Sequence, residues 1–279
     1  MKKYKKTIYI ALILLFSVIF LVSSGMLVDY YIKSNRAAED YSQLAQMVQQ
    51  AQQTLPTQES LPEGETVATE PAQQLVQWKD PETGEIRWIL PEYAGVYTVN
   101  QDMVGWISIS GTRINYPVMH RPQDKDYYLY RNFYEEYSVD GAIYIREQCD
   151  VFKPTDNVTI YGHRMNSGAM FADLLKYKEQ DFYTQNPYIR FDTIQERHTY
   201  EILAVFTISA SENNGFAYHQ MADAQDQAEF DALVAQCKSR SLYDTGVDAV
   251  YGDKLITLST CEKGNSNYRV VVVAKRISQ

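Results

Sequence analysis

Cysteine is scarce in this chain and never occurs in a paired motif. The 279 residues contain three cysteines, Cys149, Cys237 and Cys261, and none has a C-x-x-C neighbour. The sequence therefore indicates neither a metal site nor a disulfide framework, and we expect no cofactor. A bridge between Cys149 and Cys237 stays open, although nothing in their spacing requires it. Because three is an odd number, at least one thiol is free unless it pairs between chains.

Basic residues are too few for a nucleic-acid-binding protein. Lysine and arginine number 26 against 35 aspartates and glutamates, which gives a formal net charge of −9. Four of the lysines lie at the N-terminus, at positions 2, 3, 5 and 6, so the rest of the chain is more acidic still. An acidic surface repels a phosphate backbone, and we therefore expect no nucleic-acid partner.

Charge is absent altogether from residues 7–28. At ~1.5 Å per residue, a helix of this length spans the hydrocarbon core of a bilayer, which is ~30 Å thick. A cleaved signal peptide is the alternative, because Ser23, Ser24 and Gly25 are small. The apolar run is longer than the ~7–15 residues of such peptides. We expect an uncleaved transmembrane signal anchor at residues 7–28, a basic cytoplasmic tail at residues 1–6, and the rest of the chain outside.

The segment after the anchor has the composition of a linker. Residues 36–55 are rich in Ala, Gln and Glu and predict a helix. Residues 56–73 hold Pro, Thr, Glu, Gly and Ser with few large apolar groups, as flexible spacers do. We expect a helical and then flexible linker over residues 29–75, followed by one folded domain over residues 76–279.

Short apolar runs, many of them β-branched, predict eight strands in this domain. They cover residues 104–109, 114–119, 141–146, 157–161, 188–192, 198–208, 254–260 and 268–277. Many strands and few helices indicate a mainly β barrel or sandwich with helical insertions.

Two helices are predicted between the strands. One covers residues 167–177, with a cap near Asn166 or Ser167. The other covers residues 226–239 and is amphipathic, because its apolar residues recur at helical spacing. Those residues are Phe230, Leu233, Val234 and Cys237. We therefore expect Cys237 in the core.

Cys261 stands where a predicted strand becomes a turn. It ends the run Thr257-Leu258-Ser259-Thr260-Cys261, and a polar turn over residues 262–267 follows. This position can expose the sulfur, but a buried core cysteine is an equally weighted alternative. Cys149 lies in a polar stretch and has no evident role.

A histidine also follows a predicted strand, in the sequence Tyr161-Gly162-His163-Arg164. Strand ends on a rigid scaffold are where active-site residues gather. The alternative for a lone histidine is an ordinary surface or core residue. We interpret the other three histidines that way: His120, His198 and His219.

Arg269 lies at the start of the apolar run 270–274. A charge at the edge of such a run needs a partner or a function. The partner would be Glu262 or Asp253, and the function would be hydrogen-bond donation to developing negative charge. With a cysteine thiolate as nucleophile and a histidine as acid and base, these residue types support acyl transfer.

The cysteine pentapeptide, Arg269 and the Gly162-His163 pair together closely resemble the sortases, the membrane-anchored cysteine transpeptidases of Gram-positive bacteria. Other segments are similar to the class B branch of that family. They are Gly105-Trp106-Ile107, Ile114-Asn115-Tyr116-Pro117-Val118, Tyr127-Tyr128-Leu129 and Gly141-Ala142-Ile143-Tyr144. The resemblance covers about residues 104–277. It implies a mainly β fold: an eight-stranded sortase-like β-barrel with helical insertions, preceded by the transmembrane helix.

The resemblance also implies roles for individual residues. Cys261 would form a thioacyl intermediate, His163 would act as acid and base, and Arg269 would bind the oxyanion or position the substrate. Four residues match positions that the family uses near the substrate: Leu129, Ser259, Thr260 and Glu262. Lys125 stands where class B members often have asparagine, so the preferred substrate motif does not transfer directly.

The implied substrates are exported proteins that carry a C-terminal sorting motif of the Leu-Pro-x-Thr-Gly or Asn-Pro-Gln-Thr-Asn kind. The implied acceptor is an amine of a peptidoglycan precursor or of a pilin lysine. One alternative is another cell-wall cysteine acyltransferase, such as an L,D-transpeptidase, although the Ser-x-Gly-Cys-Arg motif of those enzymes differs from the residues around Cys261. The other alternative is a non-catalytic anchored binding domain, in which Cys261 would be unreactive.

Overall fold

The computed structural model describes residues 2–54, 74–210 and 216–277, and the predicted flexible spacer at residues 56–73 lies outside them. The chain divides into two compact units, residues 1–42 and 43–279.

One continuous helix, α1 (Lys2–Thr54), forms the N-terminal part. The sequence predicts two helical segments here, and they are joined because no proline separates them and a single glycine, Gly25, is tolerated within a helix. Apolar side chains between positions 9 and 32 are exposed. By length and composition α1 is capable of crossing a membrane, a property that it shares with signal sequences near an N-terminus.

A hairpin and a short helix precede the barrel strands in the chain, and neither is predicted from the sequence. β1 (Val76–Lys79) pairs antiparallel with β2 (Ile86–Ile89), and α2 (Pro91–Val99) follows. Proline suits the first position of a helix because its missing N–H has no partner there. Tyr93 of α2 donates a hydrogen bond to the buried carboxylate of Asp192 at 2.6 Å, which ties the helix to the barrel.

Eight strands form a closed barrel in the order β10-β8-β7-β3-β4-β5-β6-β9, which confirms the predicted architecture. The strands are β3 (Met103–Ser108), β4 (Asn115–Met119), β5 (Ile143–Ile145), β6 (Asn157–Tyr161), β7 (Tyr188–Thr193), β8 (Thr199–Ser209), β9 (Leu255–Glu262) and β10 (Asn265–Arg276). Each corresponds to a predicted strand, with small shifts at the ends. Neighbours in the barrel are antiparallel, except that β4 is parallel to β5 and β6 is parallel to β9.

Two helices follow β6 and β8. α3 (Gln180–Gln185), which is not predicted from the sequence, precedes β7, and α4 (Gln227–Arg240) lies between β8 and β9. Asp226 caps α4, because its side chain accepts a hydrogen bond from the backbone N–H of Glu229 at 3.0 Å. The apolar stripe of α4, including Cys237, packs against residues of β8, β9 and β10. Cys237 is therefore a core residue, as predicted.

The predicted helix at residues 167–177 is wrong in type and starting point. A 3₁₀ helix forms instead, and it begins only at Phe171 and ends at Lys178. Gly168 and Met170 both have positive φ, at +84° and 55°, so the chain is outside the helical region just before that point. The predicted cap at Asn166 or Ser167 is consequently wrong as well.

Buried polar contacts fix the first residue of β6. Asn157 is fully buried, donates to the carbonyl of Met221 at 3.2 Å and accepts from the hydroxyl of Thr257 at 2.7 Å. Cys149 lies beside it, with its sulfur 3.5 Å from the carbonyl oxygen of Asn157. Cys149 is therefore a buried structural thiol, although its polar sequence context indicates no role. All three cysteines are free, so no Cys149–Cys237 bridge forms.

Candidate active site

The parallel pairing of β6 and β9 brings His163 and Cys261 together. The last pair in this register joins Tyr161 to Ser259, so His163 and Cys261 each lie two residues beyond it. The hydroxyl of Thr260 donates to the carbonyl of Gly162 at 2.8 Å and extends the contact past the strand end. The histidine and the thiol therefore leave the barrel at the same end.

Gly162 allows this close approach. A Cβ atom at this position would lie 2.5 Å from the side chain of Ile143 and 2.7 Å from the ring of Phe171. Both neighbours are fully buried, so neither can move aside without disturbing the core. Packing against Ile143 and Phe171 thus requires a glycine directly before His163.

Arg269 is the direct cross-strand partner of Cys261 in the β9–β10 hairpin. Directly opposite residues of an antiparallel pair project from the same face, so the guanidinium and the thiol start side by side. An irregularity in pairing between Asn265 and Arg269 sets this register. The two carboxylates named as alternative partners of Arg269 pair with lysines: Glu262 with Lys178 at 3.1 Å, and Asp253 with Lys275 at 3.7 Å.

A cavity of about 460 Å³ opens at this end of the barrel. Six of the seven residues predicted to form the site line it: Leu129, His163, Ser259, Thr260, Cys261 and Arg269. Cys261 is partly exposed, whereas the other two cysteines are buried. Burial raises the pKa of the Cys149 thiol and raises that of Cys237 to about 12. Cys261 is therefore the thiol that a substrate can reach.

The region that carries this cavity matches a known protein family. A family model named Sortase domain matches residues 107–277, which is more than half of the chain. The chain belongs to the sortase family. It is 33% identical over 199 residues to Sortase B of Listeria monocytogenes, in an alignment that covers 70% of this chain and 77% of the relative. These findings confirm the predicted family and its class B branch.

Two further comparisons agree with class B. This sortase is 29% identical over 191 residues to Sortase B of Staphylococcus aureus, covering 68% of this chain and 76% of that one. A solved Staphylococcus aureus sortase B–substrate complex is similar to it with a TM-score of 0.70 at 24% identity, covering 88% of this chain and 99% of that chain. At this level of identity, the structural similarity shows a shared fold.

A backbone carbonyl holds the imidazole of His163 in this sortase. Nε2 of His163 lies 2.8 Å from the carbonyl oxygen of Leu129, at the end of the 3₁₀ helix Tyr127–Tyr130. A carbonyl oxygen only accepts, so this bond places a proton on Nε2 and leaves Nδ1 as the nitrogen that exchanges a proton. The ring of Tyr130 lies 5.8 Å from that of His163, centre to centre.

Ser259 and Thr260 line the sortase cavity, but their hydroxyl groups already form hydrogen bonds within the protein. Both are 2% exposed. The hydroxyl groups of Ser259 and Tyr218 are hydrogen-bonded at 2.9 Å, and the hydroxyl of Thr260 is bonded to Gly162. These side chains therefore hold the walls of the cavity in place.

Glu262 is the predicted site residue that does not line the cavity. Both of its carboxylate oxygens accept hydrogen bonds from Lys178, at 3.1 and 3.2 Å. One of them also accepts from the hydroxyl of Thr207 at 3.4 Å. Glu262 thus joins β9 to the end of the 3₁₀ helix and to β8.

The cavity also contains basic residues that the sequence interpretation does not place there. His219 and Arg146 line it together with Lys125, and Arg146 donates a hydrogen bond to the carbonyl of His219. Burial lowers the pKa of His219, and the positive charges of Arg146, Lys125 and Arg269 lower it further. Nothing in the loop sequence around His219 indicates this position, because loops carry no periodic pattern.

His120 and His198 lie outside the cavity lining, in line with their interpretation as ordinary residues. His198 lies 3.2 Å from the carboxylate of Glu196. Within residues 2–54, 74–210 and 216–277, no cluster of three or more His, Cys, Asp or Glu side chains has the arrangement of a metal site.

Proposed function

We propose that this sortase cleaves a C-terminal sorting motif of exported proteins and transfers the acyl part to an amine. The observation that carries the proposal is the convergence of the Cys261 thiol, the His163 imidazole and the Arg269 guanidinium on one open cavity. A nucleophile, an acid–base group and a cationic donor are the three groups that acyl transfer to an amine requires. The motif is of the Leu-Pro-x-Thr-Gly or Asn-Pro-Gln-Thr-Asn kind.

The first half-reaction forms a thioester. The thiol proton of Cys261 passes to Nδ1 of His163, and the thiolate attacks the carbonyl carbon of the scissile peptide bond. Arg269 donates hydrogen bonds to the oxyanion that develops on the carbonyl oxygen. The carbon–nitrogen bond then breaks as His163 returns its proton to the leaving amine.

The second half-reaction consumes the thioester. An amine of a peptidoglycan precursor or of a pilin lysine attacks the thioester carbon, and His163 takes the proton that the amine loses. The carbon–sulfur bond breaks, the new amide is released, and Cys261 returns to the thiolate form. The open mouth of the cavity supports this step, because the second substrate must enter while the first is covalently bound.

We further propose that α1 anchors the enzyme in the cell membrane. Residues 1–6 would be cytoplasmic and residues 7–28 would span the bilayer, with 29–75 as linker and 76–279 as the extracellular catalytic domain. The uncharged stretch and the lysines before it support this orientation. We expect the full chain to stay in the membrane during alkaline extraction. We also expect an external protease to remove the catalytic domain from intact cells. Release of the intact chain by alkali would contradict the anchor.

Mass spectrometry of the covalent intermediate tests the enzymatic proposal. The full chain in detergent is incubated with a library of peptides that carry sorting motifs, and the adduct is mapped by digestion. We expect an acyl group on Cys261, its loss in Cys261→Ala, and its retention in Cys149→Ala. An adduct that survives Cys261→Ala would refute the mechanism. Failure of a thiol probe to alkylate Cys261 at neutral pH would favour a non-catalytic binding domain.

A further inference from the structure

The turn that leads into β5 buries a carboxylate with no hydrogen-bond donor. Asp140 is 2% exposed. Neither of its carboxylate oxygens has a hydrogen-bond partner among the residues that the structure describes. Burying an unpaired carboxylate is unfavourable, and such groups are normally paired or hydrogen-bonded. Structural stability alone therefore gives no reason for an aspartate at this position.

The backbone beside Asp140 packs against the segment that holds the catalytic histidine. Gly141 has a φ of +59°, and a Cβ atom there would lie 2.5 Å from the carbonyl oxygen of Leu129. The N–H of Ala142 donates to the carbonyl of Tyr128 at 3.0 Å. The carbonyl of Leu129 is the group that His163 contacts through Nε2. The glycine, with no side chain, lets the turn that carries Asp140 approach this carbonyl.

His163, once protonated, is the cationic group that acts on Asp140. Burial raises the pKa of the Asp140 carboxyl, and the positive charge of His163 acts in the opposite direction. The negative charge of Asp140 also acts on Tyr116 of β4. Burial is the main cause of the raised pKa of Tyr116, and the charge of Asp140 raises that pKa further. Next to His163 lies the ring of Tyr130. The other titratable or charged groups that line the cavity with it are Lys125, Asp126, Tyr144, Arg146, Glu147, Tyr161, His219, Cys261 and Arg269.

We propose that Asp140 is a positioning residue that stabilises the protonated imidazole of His163 and so favours the thiolate of Cys261. The proposal rests on the proposed function of the Cys261–His163 pair. Proton transfer from the thiol to the imidazole creates a positive charge next to a carboxylate that has no other counter-charge in the turn. The ion pair of thiolate and imidazolium is thereby favoured over the neutral pair.

The step conserves every proton. Before transfer, the thiol carries its proton, the imidazole is neutral and Asp140 is unpaired. After transfer, the imidazolium has Asp140 on one side and the thiolate as its other partner. Asp140 itself neither gains nor loses a proton and touches no substrate.

Titration of the histidines tests this directly. The chain has only four histidines, so the full protein in detergent, labelled at histidine Cε1, gives few signals, and His163→Gln identifies the one of interest. Asp140→Asn removes the charge and keeps the shape. Because an opposite charge nearby favours the charged form of a histidine, we expect the His163 signal to titrate at lower pH in this variant than in the wild type.

A matched variant at the opposite end of β6 provides the control. Asp156 precedes β6, pairs with Lys254 at 2.7 Å and is buried. Asp156→Asn removes a buried carboxylate of the same size far from the cavity, so the His163 midpoint should not move. An unchanged midpoint in Asp140→Asn, or an equal shift in Asp156→Asn, would overturn the proposal. If Asp140→Asn does not fold, Asp140→Ser is titrated in its place.

Kinetics separate this proposal from the proposed function. We expect Asp140→Asn to lower kcat for peptide cleavage several-fold with KM unchanged, and to move the acid limb of the pH profile to lower pH. A wild-type enzyme that cleaves no sorting peptide would contradict the proposed function, while the histidine titration would still decide the role of Asp140.

Discussion

The two ends of the parallel strands β6 and β9 differ in how their polar groups are paired. At the end where both strands begin, the buried polar side chains of Asp156 and Asn157 are paired. Asp156 binds Lys254 at 2.7 Å and accepts from the backbone N–H of Ala224 at 3.1 Å. Asn157 accepts from Thr257 at 2.7 Å. These contacts join β6, β9 and the chain before α4.

At the end where the strands finish, Ser259 and Thr260 are hydrogen-bonded within the protein, but the thiol faces an open cavity and one nearby carboxylate lacks a partner. Cys261 and His163 line the cavity, and the carboxylate of Asp140 has no hydrogen bond within the described residues. One strand pair thus supports stability at one end and reactive groups at the other.

The largest expected difference between the two ends concerns histidine. His163→Gln should lower the rate of thioester formation by about 10³-fold, since general acid–base catalysis is typically worth that much. His198→Gln is the matched change, because the register from β9 through β10 to β8 places His198 at the opposite barrel end. It should leave the rate unchanged. Stopped assays with a sorting peptide measure the rate of thioester formation in both variants. Equal losses of rate would contradict a special role for the barrel end that carries His163.

The two arginines of β10 sharpen the comparison. Arg269→Lys keeps the charge but loses the planar fork of donors, so kcat/KM should fall by about 10²-fold with little change in Tm. Arg276→Lys makes the same exchange at the other end of the strand. Peptide cleavage by that variant should match wild type. Full activity of Arg269→Lys would show that charge alone suffices at this position.

Two threonines of β9 allow a test in which stability is matched. Thr257 and Thr260 each donate one buried hydrogen bond, to Asn157 at 2.7 Å and to Gly162 at 2.8 Å. Replacement of either by valine should lower the free energy of unfolding by about 1–2 kcal/mol. Only Thr260→Val should also lower kcat/KM, by about 10-fold, because Gly162 precedes His163. Equal activities in the two variants would show that the hydrogen bond of Thr260 contributes to stability only, like that of Thr257.

The smallest effect is a gain in stability at Asp140. Burial raises the folded pKa of this carboxyl above its unfolded value of about 3.9, so the folded state loses stability as pH rises from that value through the raised pKa. An asparagine side chain does not titrate, so the variant does not lose stability in this way as pH rises. The Tm of Asp140→Asn should therefore exceed that of wild type by about 2–4 °C at pH 8, and the difference should vanish near pH 3. A lower Tm for the variant at pH 8 would indicate a structural role for the carboxylate.

The barrel and half of the site follow from local sequence patterns. β-branched runs predict the eight strands, and period-two alternation across a hairpin predicts that Cys261 and Arg269 lie together. The position of His163 beside them depends on a parallel pairing between distant segments, which no local pattern predicts. The family resemblance implies the role of His163 but not this pairing. His219 reaches the cavity, and Asp140 its buried position, through loops, whose course no periodic pattern records. Arg146 lies at the end of a predicted strand, but strand periodicity does not show which strand ends meet. The predicted helix start at residue 167 is wrong for a local reason, because Gly168 and Met170 have positive φ angles.

The burial of Cys149 and Cys237 has a practical consequence for anyone handling this enzyme. A maleimide dye or a thiol-reactive resin has one accessible sulfur to attack, so the wild-type chain can be labelled at a single point without first removing cysteines. That point lies in the lining of the cavity. On the proposed mechanism, the fraction of chains that take up the label counts the intact active sites in a preparation, and attachment through cysteine would inactivate the protein.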